Sequence, residues 1–348
     1  MGSLLTFSAP RMVEVVDEPD APLTANQVRV RTLFSGISAG TELSSYRGTN
    51  PNLNHIWDAE RRLFIEGDER TSFPVSVIGY EEVGEVIELG AAVSQLSLGQ
   101  RVWGTWGHRT TAVIDEATGA ARVLDPGADP RIGMFSHIGA VALNAVLDAD
   151  IHIGETVAVF GLGVPGQLVA QLARLNGGRV IAVDGIASRR DLAAELGAAE
   201  VLDPATGGVA ERIRDLTSGR GADVAIEVTG NYAAMHEAIR SVAYNSRVCV
   251  AGFFQGGGAA LRLGEEFHHN RVQVVSSQIS GPGPSVAHRW DRYRLTSTAI
   301  NLAVSGQLQV LPLITHTVTL ADAADAYRML DASPGDALQV VIEMGSHD

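Results

Sequence analysis

Two hydrophobic patterns follow one another along this chain. In residues 27–33 apolar and polar side chains alternate, which is typical of a strand buried on one face. Glycines and turn residues punctuate the sequence up to about residue 125. From residue 155, short apolar runs alternate with longer stretches whose apolar residues recur at helical spacing. The first pattern predicts a β-rich region, and the second predicts a parallel, doubly wound sheet of the α/β class.

The predicted elements group into two domains. The second pattern predicts strands at residues 157–160, 179–183, 200–202, 223–228, 247–251 and 272–276. Helices are expected up to residue 176 and at 187–196, 209–216 and 232–242. A helix at 294–304, a strand around 314, a helix at 321–330 and a strand at 338–343 should rejoin the first region. The predicted domains are residues 1–150 with 286–348, and residues 151–285.

The first region carries fewer clear signals. We expect strands at residues 83–89 and 99–103, and a helix at 132–148 that leads into the second domain. Residues 50–72 are polar and predict a long surface excursion. At roughly 150 residues per domain, a chain of 348 residues also suggests two domains.

A glycine-rich turn follows the strand at 157–160 and predicts a dinucleotide site. Gly161 permits the tight turn, Gly163 lets the backbone approach a pyrophosphate, and Gly166 lets the following helix pack closely on the strand. The helix N-terminus offers N–H groups to the phosphates. Asp184 ends the next strand, where a carboxylate accepts hydrogen bonds from the ribose hydroxyls and repels a 2′-phosphate. The pattern therefore favours NAD over NADP, although a glycine turn arising by chance is the alternative.

Further cofactor contacts are expected at the start of this helix and after the carboxyl ends of the strands. These candidates are Val164, Pro165, Arg189, Thr229, Gly252, Phe253 and Phe254. Arg189 follows Asp184 closely, so its positive charge would soften the preference for NAD.

Composition limits the classes of partner. Hydrophobic residues make up 45% and charged residues 19% of the chain, as in a globular enzyme, and the net charge is −14. That acidity argues against nucleic acid or an anionic membrane as partner and favours a small-molecule substrate. The single cysteine, Cys249, lies in an apolar run and forms no internal disulfide. With neither a leader pattern nor an apolar stretch of about 20 residues, the expected compartment is the cytoplasm.

Four motifs resemble the medium-chain dehydrogenase/reductase family, the alcohol dehydrogenase superfamily. They are residues 36–42 (GISAGTE), 79–86 (GYEEVGEV), 99–102 (GQRV) and 139–150. The resemblance covers essentially the whole chain, and it implies a Rossmann dinucleotide-binding domain beside a β-rich, GroES-like catalytic domain. Residues 36–42, 267–271 and 276–278 also look similar to a subgroup related to bacteriochlorophyllide hydroxyethyl dehydrogenases.

The chain departs from the family at the metal ligands. Zinc-binding members place a cysteine, a histidine and a third ligand at positions that here read Ser38, Tyr80 and His137. The four-cysteine lobe that holds a structural zinc is missing. Because zinc prefers thiolate and imidazole ligands, the sequence predicts an enzyme without catalytic zinc. A zinc held through Glu81, His137 and a further ligand is the alternative.

Hydroxyl and imidazole groups would then do the work of the metal. The resemblance implies that the Tyr80 hydroxyl donates a hydrogen bond to the substrate oxygen. The alternative is that Tyr80 only fills the space that the metal occupies in relatives. His137 would donate to the same oxygen or act as a base, or would only pack at the domain boundary. Glu81 would orient Tyr80 or form a structural ion pair. Ser38 and Thr41 would contact the substrate or only cap a helix.

We assign three aromatic side chains to the substrate pocket. His108 and Trp106 lie in a glycine-containing loop that often borders the substrate in relatives, and Trp57 lies in the polar excursion. A surface histidine and ordinary packing tryptophans are the alternatives.

Three functions compete. The first is an NAD-dependent dehydrogenase that acts on a secondary hydroxyl of a polyol, a sugar-like compound or a larger metabolite. The second is a zinc-free quinone or enone reductase, which needs no metal but usually favours NADPH. The third is a non-catalytic NAD-binding regulatory protein. A homodimer or homotetramer is expected, because a strand at 272–276 near a sheet edge invites pairing with a second copy.

Overall fold

The chain folds into two compact units. The computed structural model describes residues 2–67 and 70–345. The first unit comprises Met1–His137 and Ile314–Asp348, and the second comprises Ile138–Leu313. These boundaries fall at 137/138 and 313/314, whereas the sequence placed them at 150/151 and 285/286.

Strands and helices are numbered here in chain order. The strands are β1 (Gly2–Ala9), β2 (Met12–Glu18), β3 (Gln27–Ile37), β4 (Ile56–Asp58), β5 (Leu63–Ile65), β6 (Glu82–Leu89), β7 (Arg101–Gly104), β8 (Thr111–Asp115), β9 (Thr156–Phe160), β10 (Arg179–Val183), β11 (Glu200–Leu202), β12 (Ala222–Glu227), β13 (Val242–Val250), β14 (Gln273–Ser276), β15 (Ile314–Thr319) and β16 (Gln339–Glu343). The α-helices are α1 (Ala39–Tyr46), α2 (Glu116–Ala120), α3 (Ser136–Ala149), α4 (Val164–Leu175), α5 (Ala187–Glu195), α6 (Val209–Leu216), α7 (Tyr232–Ser241), α8 (Glu266–His269), α9 (Arg292–Val304) and α10 (Ala323–Ala332).

The second unit is built on the predicted parallel sheet. Its strand order is β11-β10-β9-β12-β13-β14, and each pair runs parallel. Strands β9 and β10 are continuous apolar runs because helices cover both faces of such a sheet. A core that includes Ala158, Ile181, Ile213 and Val248 joins the sheet to its helices. The doubly wound prediction is confirmed.

The first unit is β-rich, as predicted, and the end of the chain completes it. Its main sheet has the order β15-β16-β3-β6-β7, and β8 also pairs with β3. Strand β16 runs antiparallel to β3, with Val341 opposite Gly36. Helix α10 contributes Ala326, Tyr327 and Leu330 to a core around Phe7.

The domain boundaries differ because two helices bury their contacts in the second unit. From helix α3, the Asn144 amide donates to Ser277 Oγ at 3.0 Å, and the Ala145 carbonyl accepts from Cys249 Sγ at 3.4 Å. Helix α9 approaches α3 so closely that a Cβ on Gly139 would lie 2.8 Å from Ala299 Cβ. Both helices therefore complete the core of the second unit, in which Cys249 is fully buried.

Other local expectations were incomplete. The hairpin of β1 and β2 and the helix α1 were not predicted. The excursion at residues 50–72 contains the short hairpin of β4 and β5, and its residues 68 and 69 lie outside the described part. Residues 130–149 are, contrary to expectation, long and apolar enough to span a membrane, but 83% of that apolar window is buried inside the protein. The segment therefore behaves as a core helix.

Candidate active site

The glycine-rich turn lies between strand β9 and helix α4, as a phosphate cradle requires. Gly161 has a φ of +93°, a left-handed conformation that favours glycine. A Cβ on Gly166 would lie 1.8 Å from the carbonyl oxygen of Gly161, so any larger residue would force the helix away from the strand. Gly163, by contrast, precedes the helix in an extended conformation, and the nearest atoms to its Cβ position are Pro165 Cδ at 3.9 Å and Arg189 Nη1 at 4.0 Å. A ligand can therefore approach its backbone.

The start of helix α4 suits an anion. Val164 and Pro165 form its first turn, where backbone N–H groups have no partner within the helix. Pro165 has no backbone N–H, and it suits this turn because an N–H there would have no partner within the helix. These features fit the pyrophosphate of a dinucleotide.

Asp184 lies at the end of β10, and its carboxylate connects the loop after β9 to the loop after β10. Its carboxylate accepts hydrogen bonds from the backbone N–H of Leu162 at 2.7 Å and of Ile186 at 2.8 Å. The Arg189 guanidinium interacts electrostatically with Asp184 and lies about 4 Å from the Cβ position of Gly163. A positive and a negative charge therefore flank the predicted adenosine position.

Glu227, at the end of β12, was missed by sequence reasoning. It is completely buried and accepts hydrogen bonds from the N–H and hydroxyl of Thr229 and from the N–H of Gly230. A Cβ on Gly252 would lie 2.6 Å from its carboxylate. Burial raises the pKa of Glu227. The sequence signal that could have revealed Glu227 is an acidic residue at the end of an apolar run. Its carboxylate holds the loops that follow β12 and β13.

The two phenylalanines after β13 differ in environment. Phe253 is 48% exposed, and its backbone packs against Gly230. The ring of Phe254 packs on that of Tyr232, with centroids 4.8 Å apart. Only Phe253 thus presents a free aromatic face.

In the first unit, three of the predicted catalytic residues form one cluster of hydroxyl groups. Ser38 takes the N-cap position of α1, but its hydroxyl makes no capping bond within the described chain and instead shares a hydrogen bond with Tyr80. The Tyr80 hydroxyl also donates to Thr41 Oγ1 at 3.1 Å. Thr41 is exposed, so the cluster leads from a nearly buried serine to solvent.

His137 and Tyr80 are neighbours, which the sequence did not establish. Their ring centroids lie 4.6 Å apart with the planes tilted by 58°. Burial and the nearby charge of Glu81 raise the pKa of the Tyr80 phenol. The phenol therefore remains protonated near neutral pH and can donate a hydrogen bond to an oxygen.

This donor set does not suit zinc. Zinc ligands are thiolate, imidazole or carboxylate groups. Here the Ser38 and Tyr80 hydroxyls already bond to each other, and the raised pKa of Tyr80 opposes the ionisation that a metal ligand needs. We derive no step through a metal at this position.

Glu81 lies directly behind the cluster and is only 1% exposed. Burial first, and then the charges of Glu42 and Glu82, raise the pKa of its carboxyl well above the usual range. One carboxyl oxygen, Oε2, has no hydrogen-bond partner among the described residues and faces Gly36. A buried carboxyl whose pKa is raised in this way is a poor partner for the ion pair that was one alternative for Glu81.

His108 is buried in the first unit, away from the surface loop that was expected. Its Nδ1 lies 2.6 Å from Ser35 Oγ, and its Nε2 lies 3.0 Å from Glu42. Tyr327 donates to the same Glu42 carboxylate. Burial alone would lower the pKa of His108, but Glu42 and Glu82 raise it. Because both ring nitrogens are engaged, His108 is a member of a buried network rather than a substrate contact.

The two tryptophans also differ from the expected pocket positions. Trp106 donates its indole N–H to Thr32 Oγ1 at 2.9 Å and packs against a core that includes Val30 and Val86. Trp57 is 48% exposed and packs against Phe64 on the hairpin, with ring centroids 5.1 Å apart and the planes tilted by 58°. Trp106 therefore serves packing, and Trp57 belongs to an exposed aromatic pair.

Known proteins resemble this chain over its whole length. Residues 24–155 match the family described as the alcohol dehydrogenase GroES-like domain, and residues 163–292 match the family described as zinc-binding dehydrogenase. D-guloside 3-dehydrogenase of Shigella flexneri is 30% identical over 344 residues, which cover 97% of this chain and 98% of that protein.

Solved structures show the same fold. An oxidoreductase of unknown specificity from Escherichia coli has a TM-score of 0.81 at 18% identity, with 99% of each chain covered. A protein from Sinorhizobium meliloti 1021, solved bound to NADP, has a TM-score of 0.79 at 22% identity and the same coverage.

A GroES-like unit and a Rossmann unit with a glycine-rich cradle define a class of nicotinamide-dependent oxidoreductases. Within that class, the chain belongs to the medium-chain dehydrogenase/reductase family, as its motifs indicated. The likeness to the bacteriochlorophyllide subgroup stays a prediction.

Proposed function

We propose that this protein is a dehydrogenase that interconverts a ring secondary hydroxyl of a sugar or glycoside with the corresponding ketone, without catalytic zinc. The observation that carries the proposal is the hydrogen bond between Ser38 and Tyr80, whose raised pKa keeps the phenol protonated as a donor. The family resemblance implies metal ligands at these two positions. The relative from Shigella flexneri, D-guloside 3-dehydrogenase, supports the substrate class.

The reaction needs a hydride and a proton to leave the alcohol. The glycine-rich turn and Asp184 of the second unit would hold a nicotinamide cofactor, which would supply the hydride acceptor. The oxygen of Tyr80 receives the proton of the substrate hydroxyl while its own proton passes to Thr41 Oγ1, 3.1 Å away, and from there to water. In the reverse direction, Tyr80 donates to the developing alkoxide, and His137 stacks beside its ring and fixes its orientation.

The test is activity on glycosides after removal of metal. The purified protein is dialysed against a strong chelator and assayed with glycosides that have free ring hydroxyls, with NAD and with NADP. We expect turnover to survive the treatment and added Zn²⁺ to leave it unchanged. Loss of turnover that only Zn²⁺ restores would refute zinc independence. Turnover of quinones or enones, with no reaction on alcohols, would instead support a double-bond reductase.

We propose NAD as the preferred cofactor. Asp184 would repel a 2′-phosphate, and Arg189 beside it limits the discrimination. Titration of the protein fluorescence should show tighter binding of NADH than of NADPH. Equal or reversed affinities would contradict this assignment.

We also propose a cytoplasmic homodimer or homotetramer that binds a small molecule rather than nucleic acid or a membrane. Strand β14 lies at the edge of its sheet with most of its residues exposed, so it can pair with a second copy. Light scattering of the purified protein should give a multiple of 36.7 kDa, and a monomer would contradict the proposal.

A further inference from the structure

A second cluster of potential ligand groups lies in the second unit, between helices α7 and α8. It consists of His236 on α7, Glu266 at the start of α8, and Glu265 directly before it. One ligand atom from each of the three lies within 4.8 Å of the other two. None of these residues belongs to the dinucleotide cradle or to the Tyr80 cluster.

The histidine needs a partner that the described chain does not give it. His236 is only 5% exposed, yet neither of its ring nitrogens has a hydrogen-bond partner among the described residues. Leaving a buried polar atom unsatisfied is costly, and most such atoms in proteins are bonded. A bound group that accepts an imidazole lone pair would remove this cost.

Both carboxylates have an oxygen to offer. Glu266 Oε1 accepts from Arg240 Nε at 3.2 Å, while its buried Oε2 has no partner in the described chain. Glu265 Oε2 accepts from Arg262 at 2.8 Å, but both side chains are about half exposed, so this pair is weak.

The surrounding charge favours a cation. Arg240 alone contacts three carboxylates, those of Glu211, Glu237 and Glu266. With Glu265 and its partner Arg262, four carboxylates lie among these arginines, and Arg214 also acts on Glu211, so the group keeps a net negative charge. A bound cation would reduce that charge.

We propose that His236, Glu265 and Glu266 form a binding site for a divalent transition metal of the zinc and manganese class. One imidazole nitrogen and two carboxylate oxygens, with water in the remaining position, match ligands that zinc accepts. Calcium and magnesium are disfavoured because they prefer oxygen ligands alone. The metal would link α7 to the segment after β13 and stabilise the second unit, so its role is structural and independent of hydride transfer.

The test is a Zn²⁺ and Mn²⁺ titration of the full-length, metal-stripped protein by calorimetry, with the melting temperature measured in parallel. We expect one equivalent per chain and a rise in melting temperature for at least one of the two metals. The variant Glu265→Gln changes an exposed residue and should fold normally, and it should bind at least tenfold more weakly. His236→Gln should do the same, with circular dichroism to check its fold.

Control variants locate the metal. His268→Ala and His269→Ala change exposed histidines of the same helix and should leave the affinity unchanged. Absence of binding by both metals, or unchanged binding in Glu265→Gln, would overturn the proposal. Binding lost in His137→Ala but kept in Glu265→Gln would also overturn it, because the metal would then lie in the Tyr80 cluster.

Discussion

Tyr80 is the residue on which the proposed chemistry depends most directly. Replacing it with phenylalanine keeps the ring that packs on His137 but removes the hydroxyl that joins Ser38 to Thr41. We expect kcat to fall by about 10²–10⁴-fold, the usual contribution of a positioned proton donor or acceptor. The measurement is steady-state turnover of a glycoside in both directions.

Tyr244→Phe provides the matched control, since Tyr244 is 66% exposed and lies in the second unit. Its kcat should equal that of the unmodified protein. If Tyr80→Phe also kept full kcat, the phenol would only fill space, which was the alternative interpretation of the sequence.

The structural roles of single residues were predictable only where the local sequence pattern determined their surroundings. Gly161, Gly166 and Asp184 were assigned from the strand, turn and helix around them, and the structure places them accordingly. His108 was not, because its partner Glu42 is 66 positions away and Tyr327 is 219 away. Long-range contacts of this kind leave no periodic signal in the sequence.

Strand β9 and helix α4 approach each other so closely that position 166 requires a residue without a Cβ. A methyl group there would meet the carbonyl oxygen of Gly161 at 1.8 Å, and backbone atoms cannot yield as a flexible side chain does. We expect Gly166→Ala to destabilise the protein by about 1–3 kcal/mol, the usual cost of overpacking. It should also weaken NADH binding, because the helix start moves away from the cradle.

Chemical denaturation and NADH titration measure the two effects. Gly281→Ala is the control in the same unit, since a Cβ there meets nothing within 4 Å. A Gly166→Ala variant with unchanged stability and affinity would show that the helix shifts without cost.

Among the elements, those of the second unit were the easiest to predict. Apolar runs such as Val157–Phe160 are buried on both faces of the sheet, so their burial can be read from composition alone. Helix α1 was missed because its eight residues include glycine, threonine and two serines, which are weak helix formers. Its start is stabilised locally instead, because Glu42 of the helix accepts the backbone N–H of the N-cap residue Ser38 at 2.9 Å.

For the whole molecule, the buried acids and His108 set the pH dependence of stability. The pKa values of Glu81, Glu82 and His108 are raised in the folded state. The folded protein thus holds these protons more tightly than the unfolded chain, so stability falls as pH rises. Acids with lowered pKa values, such as Asp129 and Asp223, stabilise the folded state when ionised and lose that stabilisation only as pH falls below about 4. Above about pH 5 they are ionised in both states, so they add no pH dependence there.

We therefore expect the free energy of unfolding to decrease between about pH 5 and pH 8. Glu81→Gln replaces a carboxyl of raised pKa by an amide that does not titrate and should flatten that decrease. Urea denaturation at several pH values measures the slope. A free energy that rises with pH over this range, or an unchanged slope in the variant, would contradict the assignment.

The pairing of β16 with β3 has a consequence for biosynthesis. Gln339 donates to the carbonyl of Ile37 across 302 positions of sequence, and Tyr327 supplies a hydroxyl to Glu42. At about 5–20 residues per second, the ribosome needs roughly 15–60 seconds to travel that distance. The second unit is contiguous and can fold meanwhile, whereas residues 34–37 of β3, which pair with β16, remain with an open edge. The nascent chain is therefore most in need of chaperone protection after its cofactor-binding half has already formed.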